Sequence, residues 1–149
     1  MAGPENVLRV AMVDDEVPLS LAVRRILAKY RVRVEEVGVE VVYTCSHFAN
    51  GEEFLASLTG GAEYDLLLLD LKLPGMSGLD VLAEIGEQGH TIIPIMITAY
   101  ATFDTAVQAT KLGAYDFLAK PFSPEELRYA VRKASEQLVI SREARRLAE

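Results

Sequence analysis

Tyr64-Asp-Leu-Leu-Leu-Leu-Asp70-Leu-Lys-Leu-Pro-Gly-Met-Ser-Gly78 is the stretch on which the fold turns. Four leucines stand together, one aspartate follows, and Pro74, Gly75 and Gly78 shape a loop. Turn signals at Gly60-Gly61 and Pro74-Gly75 leave too little room for a helix of ordinary length. The run therefore reads as a short strand buried on both faces, as in a parallel sheet. Asp70 is then the first residue to leave the core. It stands at the carboxyl end of a central strand, where open α/β sheets place their chemistry. Taken alone, an aspartate there is also an ordinary strand terminator before a turn.

At 149 residues, half of them hydrophobic, the chain is long enough for one domain with a real core. No apolar run approaches membrane-spanning length, and Met1-Ala-Gly-Pro-Glu-Asn6 lacks the basic flank and apolar stretch of a secretion signal. A cytoplasmic protein with no membrane association is expected. The net charge of −7, from 15 basic and 22 acidic residues, repels nucleic acid unless basic residues cluster, and they do not. Cys45 is the single cysteine and cannot form an internal disulfide. In its apolar stretch it reads as a small buried side chain before it reads as a nucleophile.

Outward from the leucine strand, the chain alternates strands and helices. Leu8 to Val13 is an apolar run ending in Asp14-Asp15-Glu16, and Pro18 suits the first turn of the helix that follows, which should end near Tyr30. From Val32 to Val41 valines alternate with charged residues and Gly38. This pattern argues for an extension or hairpin-like excursion into a strand near Val41 to Cys45, with a continued first helix as the alternative. Glu52 to Leu58, Leu79 to Ile85 and Phe103 to Leu112 read as helices. Ile92 to Ile97 and Tyr115 to Leu118 read as strands, Pro94 falling at the entry of the first. Ser123 with Glu126 forms a capping box, and Pro124 opens the last helix. Five β-α repeats predict a flavodoxin-like α/β fold. Its doubly wound parallel sheet has five strands in the order 2-1-3-4-5, with helices on both faces.

That topology gathers the carboxyl ends of four strands at one edge. They carry Asp14-Asp15, Asp70, Thr98 and Lys120. Three carboxylates together repel and raise one another's pKa unless a cation relieves them. Hard oxygen ligands with room for water suit Mg²⁺. Metal, ammonium and hydroxyl can together neutralise a phosphoryl group, and aspartate is an established phosphoryl acceptor. Separately, each residue has an ordinary reading. Asp14 or Asp15 caps the first helix, Thr98 is a β-branched strand residue, Lys120 is surface and Phe117 is core.

Four motifs in order resemble the receiver domain of bacterial two-component response regulators, the CheY-like family. They are Val13-Asp-Asp-Glu16, Leu69-Asp70-Leu-Lys-Leu-Pro-Gly-Met-Ser-Gly78, Thr98-Ala99, and Gly113-Ala-Tyr-Asp-Phe-Leu-Ala-Lys-Pro-Phe122. The likeness covers Leu8 to about Leu138. It implies that Asp70 accepts a phosphoryl group from a histidine kinase. Asp15 would bind Mg²⁺ directly, Asp14 mainly through water, and the Lys72 backbone carbonyl would complete the protein ligands. Thr98, the Ala99 amide and Lys120 would contact phosphoryl oxygens, and Lys120-Pro121 would be cis. Phe117 would be the aromatic that turns inward as Thr98 moves. The surface of the fourth helix, fifth strand and fifth helix would then change its preference for an output or for a second copy, giving a homodimer on phosphorylation. Such a phosphorelay protein catalyses only its own phosphorylation and dephosphorylation.

A Mg²⁺-dependent phosphohydrolase of the haloacid dehalogenase type is the rival reading. It wants an acid two residues after its nucleophile, where this chain has Lys72. A receiver that binds partners without phosphorylation is the third reading, and the complete acidic and basic set argues against it. Lys72 and Tyr100 occupy positions that tune phosphoryl lifetime in the family. The segment from Arg31 to Val41 is longer than is typical. In the last helix an apolar stripe runs through Leu127, Val131, Ala134 and Leu138 and onward. It suggests a receiver domain at 1–138 and, at 139–149, a helical linker to an output domain, as in the sigma-54-dependent activators that the Thr98 to Phe122 stretch resembles.

Overall fold

A computed structural model describes residues 5–148. The reading of the N-terminus at Met1 to Pro4 and the last residue, Glu149, lie outside the described residues. In chain order the elements are β1 (Glu5–Val13), α1 (Val17–Ala28), β2 (Val32–Val34), β3 (Val39–Phe48), α2 (Gly51–Thr59), β4 (Leu66–Leu69), α3 (Gly78–Glu87), β5 (Ile93–Thr98), α4 (Phe103–Lys111), β6 (Asp116–Ala119) and α5 (Pro124–Ala148).

The sheet has six strands in the order β2-β3-β1-β4-β5-β6, which corrects the expected five. The extra strand is β2. It pairs antiparallel with β3, Val34 opposite Val39 and Val32 opposite Val41, so the Arg31 to Val41 excursion is a hairpin and not a continued helix. Its turn needs Gly38, whose φ of 66° is a left-handed conformation that side chains disfavour. The alternating valines made an extended excursion legible, but not its pairing with β3 as a separate strand. The remaining five strands are all parallel and keep the doubly wound order around β1.

Each central strand feeds two cores, because successive side chains point to opposite faces. In β4, Leu66 and Leu68 join one core while Leu67 and Leu69 join the other, and all four are fully buried. Full burial stabilises by roughly 1.5–3 kcal/mol per leucine. The first core takes Val23 and Leu27 of α1, Val32 and Val34 of β2, and the apolar stripe of α5. The second takes Phe54 of α2, Val81, Leu82 and Ile85 of α3, and Ala109 of α4.

Local signals place the helix starts. Asn50 accepts from the Glu53 N–H, and Ser77 with Asp80 forms a capping box on α3, as Thr102 with Thr105 does on α4. The expected box on α5 is present, Ser123 Oγ accepting from the Glu126 N–H at 3.1 Å and Glu126 accepting from the Ser123 N–H at 3.1 Å. Among the described residues, no helix is long and apolar enough to cross a membrane.

Candidate functional site

Parallel strands all point their carboxyl ends to one edge, so four loops converge there. β1 leads into Asp14, β4 into Asp70, β5 ends on Thr98 and β6 leads into Lys120. Asp14, Asp70 and Thr98 are buried, whereas Asp15 and Ala99 are exposed. The carboxylate oxygens of Asp14, Asp15 and Asp70 lie within 4.8 Å of one another.

One ammonium holds this acidic group together. Lys120 Nζ donates to Asp70 Oδ2 at 2.9 Å and to Glu16 Oε2 at 2.7 Å. It also lies 2.7 Å from Asp14 Oδ2, a close ion pair without hydrogen-bond alignment. Burial works against the Lys120 charge, but Asp14, Glu16 and Asp70 outweigh it and hold the ammonium well above the ordinary lysine range. For Asp14, burial is the largest influence and raises the carboxyl above the usual aspartate value. Lys120 and the Glu16 N–H draw it back, and the charge of Asp70 raises it further. The Glu16 N–H donates to Asp14 Oδ1 at 2.8 Å, so Asp14 serves the loop before α1. The residue at the α1 cap position is Glu16, which makes no side-chain cap bond.

Asp70 is held at both oxygens, Oδ2 by Lys120 and Oδ1 by the Lys72 N–H at 3.2 Å. The loop beyond it folds back tightly. The Gly78 N–H donates to the Leu71 carbonyl at 2.8 Å, and a Cβ at Gly78 would collide with the Asp70 carbonyl oxygen. Above Asp70 opens a cleft of about 480 Å³ lined by Asp15, Glu16, Lys72, Tyr100 and Lys120 among others. Lys72 Nζ stands 4.4 Å from the centre of the exposed Tyr100 ring across its mouth. The Lys120-Pro121 bond is cis, as the resemblance implied.

The Thr98 carbonyl accepts from the Lys120 N–H at 3.0 Å, while its hydroxyl has a different partner. Thr98 Oγ1 accepts from the Tyr100 N–H at 3.0 Å. Phe117 is half-buried against the second core. Two further residues carried no assigned role in the sequence. Glu16 is a direct partner of Lys120, and its place beside the acidic pair was the available signal. His47 Nε2 donates to the Asp14 carbonyl at 2.7 Å, which the pairing of β1 with β3 makes possible and no local pattern foretells. Burial pushes the Cys45 thiol up to about 11, which suits an inert side chain.

The donor set fits a hard divalent cation. Three carboxylates converge, more negative charge than the Lys120 ammonium touching Asp14 and Asp70 offsets, and their hard oxygen atoms are the donors such an ion takes.

The sequence model of the response regulator receiver domain matches residues 10–132. The chain belongs to the response regulator receiver domain family. As a receiver of two-component signalling it has the flavodoxin-like fold, in a family where phosphorylation and Mg²⁺ at an acidic pocket are standard. It is 36% identical over 140 residues to the alginate biosynthesis transcriptional regulatory protein AlgB of Pseudomonas syringae pv. tomato, covering 94% of this chain and 29% of that protein. It is 44% identical over 92 residues to the DNA-binding transcriptional regulator NtrC of Salmonella typhimurium, covering 61% of this chain and 19% of that protein. The receiver thus spans less than a third of the length of these relatives. Among solved structures, it superposes on NtrX from Brucella abortus in complex with ATP with a TM-score of 0.74 and 30% identity, covering 99% of this chain and 30% of that one. A CheY-like receiver domain protein from Methanospirillum hungatei gives a TM-score of 0.76 at 25% identity, covering 91% of this chain and 99% of that one.

Proposed function

We propose that this receiver is a phosphorylation-operated switch whose acceptor is Asp70. The carrying observation is that Asp70 sits buried at the end of β4, one oxygen on Lys120, with Asp14 and Asp15 beside it. An Asp70 oxygen attacks the phosphorus of a kinase phosphohistidine, the P–N bond breaks, and the imidazole leaves with the electron pair. Mg²⁺, when bound, supplies charge neutralisation for the transferring group. Asp14, Asp15, Asp70 and the Lys72 carbonyl are its proposed ligands. Lys120 exchanges its carboxylate partners for a phosphoryl oxygen, and the Ala99 N–H and Thr98 hydroxyl take the others.

The switch then follows from local charge. In the unphosphorylated arrangement Thr98 is committed to the Tyr100 N–H. That bond uses the hydroxyl oxygen as acceptor and leaves its proton free, so a dianion on Asp70 accepts the proton, drawing Thr98 inward and leaving space that Phe117 fills. This biases a two-state equilibrium of the α4–β6–α5 surface. That surface exposes Phe103, Tyr115 and Tyr129, apolar area suited to an output domain or to a second copy in a phosphorylated homodimer. The function is signalling, with no reaction beyond the chain's own phosphorylation and dephosphorylation, in the cytoplasm and without direct nucleic-acid contact by this segment.

The test is intact-protein mass after incubation with Mg²⁺ and acetyl phosphate, for wild type and Asp70→Asn. One labile phosphoryl group on wild type only is expected. Equal phosphate on the variant, or no adduct on wild type with Mg²⁺ and a cognate kinase, overturns the assignment.

A further inference from the structure

The last helix is anchored far beyond the stretch that covers the phosphoacceptor site. Leu127, Val131, Ala134, Leu138 and Val139 are buried in the first core, which also contains Val32 and Val34 of the hairpin. Midway along, Ser135 Oγ donates to the Val131 carbonyl at 2.7 Å, so the Tyr43 hydroxyl 2.7 Å away donates to Ser135. Below these contacts comes a buried carboxylate that the switch does not use. Asp65 precedes β4, and its side chain is 5% exposed. Oδ2 accepts from the Arg9 N–H at 2.7 Å, and Oδ1 accepts from Arg142 Nη2 at 2.7 Å. From Ala144 to Ala148 every residue of α5 is exposed.

A buried carboxylate is costly unless its charge is matched and its lone pairs are bonded. Arg142 supplies both at Oδ1, the Arg9 guanidinium lies farther off at 3.6 Å from Oδ2, and among the described residues Arg142 is the last α5 side chain bonded to the domain body. We propose that Asp65 latches α5 at Arg142. The helix from Pro124 to Arg142 then moves as one piece with the sheet, and the direction in which it leaves the domain is set. The hairpin supplies the apolar floor and Asp65 the polar latch, which gives the extended Arg31 to Val41 segment a purpose. Asp65 and Asp70 flank the same four-residue strand, so the helix is tied directly to the strand that carries the acceptor. The latch goes beyond the switch reading and stands whether or not Asp70 is phosphorylated.

The experiment is amide hydrogen exchange by mass spectrometry on the whole chain, for wild type, Arg142→Met, Asp65→Asn and the double variant. Arg142 is half-exposed, so its replacement by Met keeps the stem and should leave the fold intact. Losing a hydrogen bond between charged groups should speed exchange over 140–147 by about ten- to a hundredfold, with 124–136 unchanged. The double variant should exchange no faster over 140–147 than Asp65→Asn alone, because Asp65→Asn already removes the Arg142 pair along with the Arg9 pair. As a direct readout of direction, spin labels at Leu147→Cys and Thr59→Cys, in a Cys45→Ser background, should give a broader distance distribution when Arg142→Met is added. Unchanged exchange at 140–147, an equal rise along all of α5, or an unchanged distance distribution overturns the latch.

Discussion

Replacing Lys120 by Met removes the one ammonium that touches Asp14, Glu16 and Asp70 while keeping most of its aliphatic stem. The size of the effect follows from what is left. Glu16 is 58% exposed and loses little, because water screens it. Asp14 and Asp70 are buried, and breaking a buried pair by removing one partner costs about 3–5 kcal/mol. Protonation caps that cost. Neutralising an aspartate of ordinary pKa, 3.8, takes about 4 kcal/mol at pH 7 and about 1.6 kcal/mol at pH 5. Asp14 is already raised by burial, and loss of Lys120 raises it further. A carboxyl raised above its unfolded value contributes stability that is present below the unfolded pKa and lost as pH rises through the folded pKa, so the variant recovers as pH falls. We expect a loss of about 3–4 kcal/mol at pH 7, a fall in Tm of about 10 °C, and less than half that loss at pH 5. Millimolar Mg²⁺ should restore part of the loss at pH 7 by binding the folded state alone. The assay is urea unfolding at both pH values, with EDTA and with Mg²⁺. Equal losses at pH 5 and 7, unmoved by Mg²⁺, would refute the electrostatic account of Lys120.

Gly78→Ala should destabilise by about 1–3 kcal/mol and slow acyl-phosphate formation, because its Cβ meets the Asp70 carbonyl oxygen and lies 2.9 Å from Leu71 Cα, backbone that cannot swing aside. Thermal unfolding and phosphoprotein mass measure both effects, and an unshifted Tm would show that the loop yields easily. Tyr100→Ala should shorten the life of the phosphoryl group by about two- to tenfold, the range of a contact worth about 0.5–1 kcal/mol with added water access. Lys72→Ala in that background should add little, since Lys72 stands over the ring. Decay of phosphoprotein mass reads this, and independent effects would separate the two side chains. Alkylation of Cys45 at pH 8 should run about a hundredfold slower than for a free thiol, because a rise from 9.0 to about 11 removes that share of thiolate. A normal rate would show that the thiol is neither buried nor raised.

Much of this molecule is written locally. The four leucines before Asp70 declared a strand buried on both faces, since no amphipathic element keeps four consecutive apolar residues, and their side chains divide two and two between the cores. Ser123 with Glu126 marked a helix start, because capping needs only residues three apart. The acidic and basic residues of the site were legible once each was seen at a strand end, because parallel strands send those ends to one edge. Hairpin patterning was visible too, yet the strand count was not. Whether Val32 to Val34 pairs depends on β3 and α5, not on its own three residues.

What only the tertiary structure decided is who touches whom across the chain. Lys120 meets Glu16 across 104 positions and Asp70 across 50, and the sequence does not state that it shares itself among three carboxylates. His47 reaches the Asp14 carbonyl only because β3 lies beside β1 in that register. Arg142 reaches Asp65 across 77 positions, at the far end of the strand that carries Asp70. The sequence by itself determined the order of elements apart from β2, the buried faces of the main strands and helices, and which residue types stand at the strand ends, since periodicity, turns and caps act over a few residues. Packing decided the pairings, because register and the sharing of buried charge are settled by surfaces that meet only when the whole sheet is assembled.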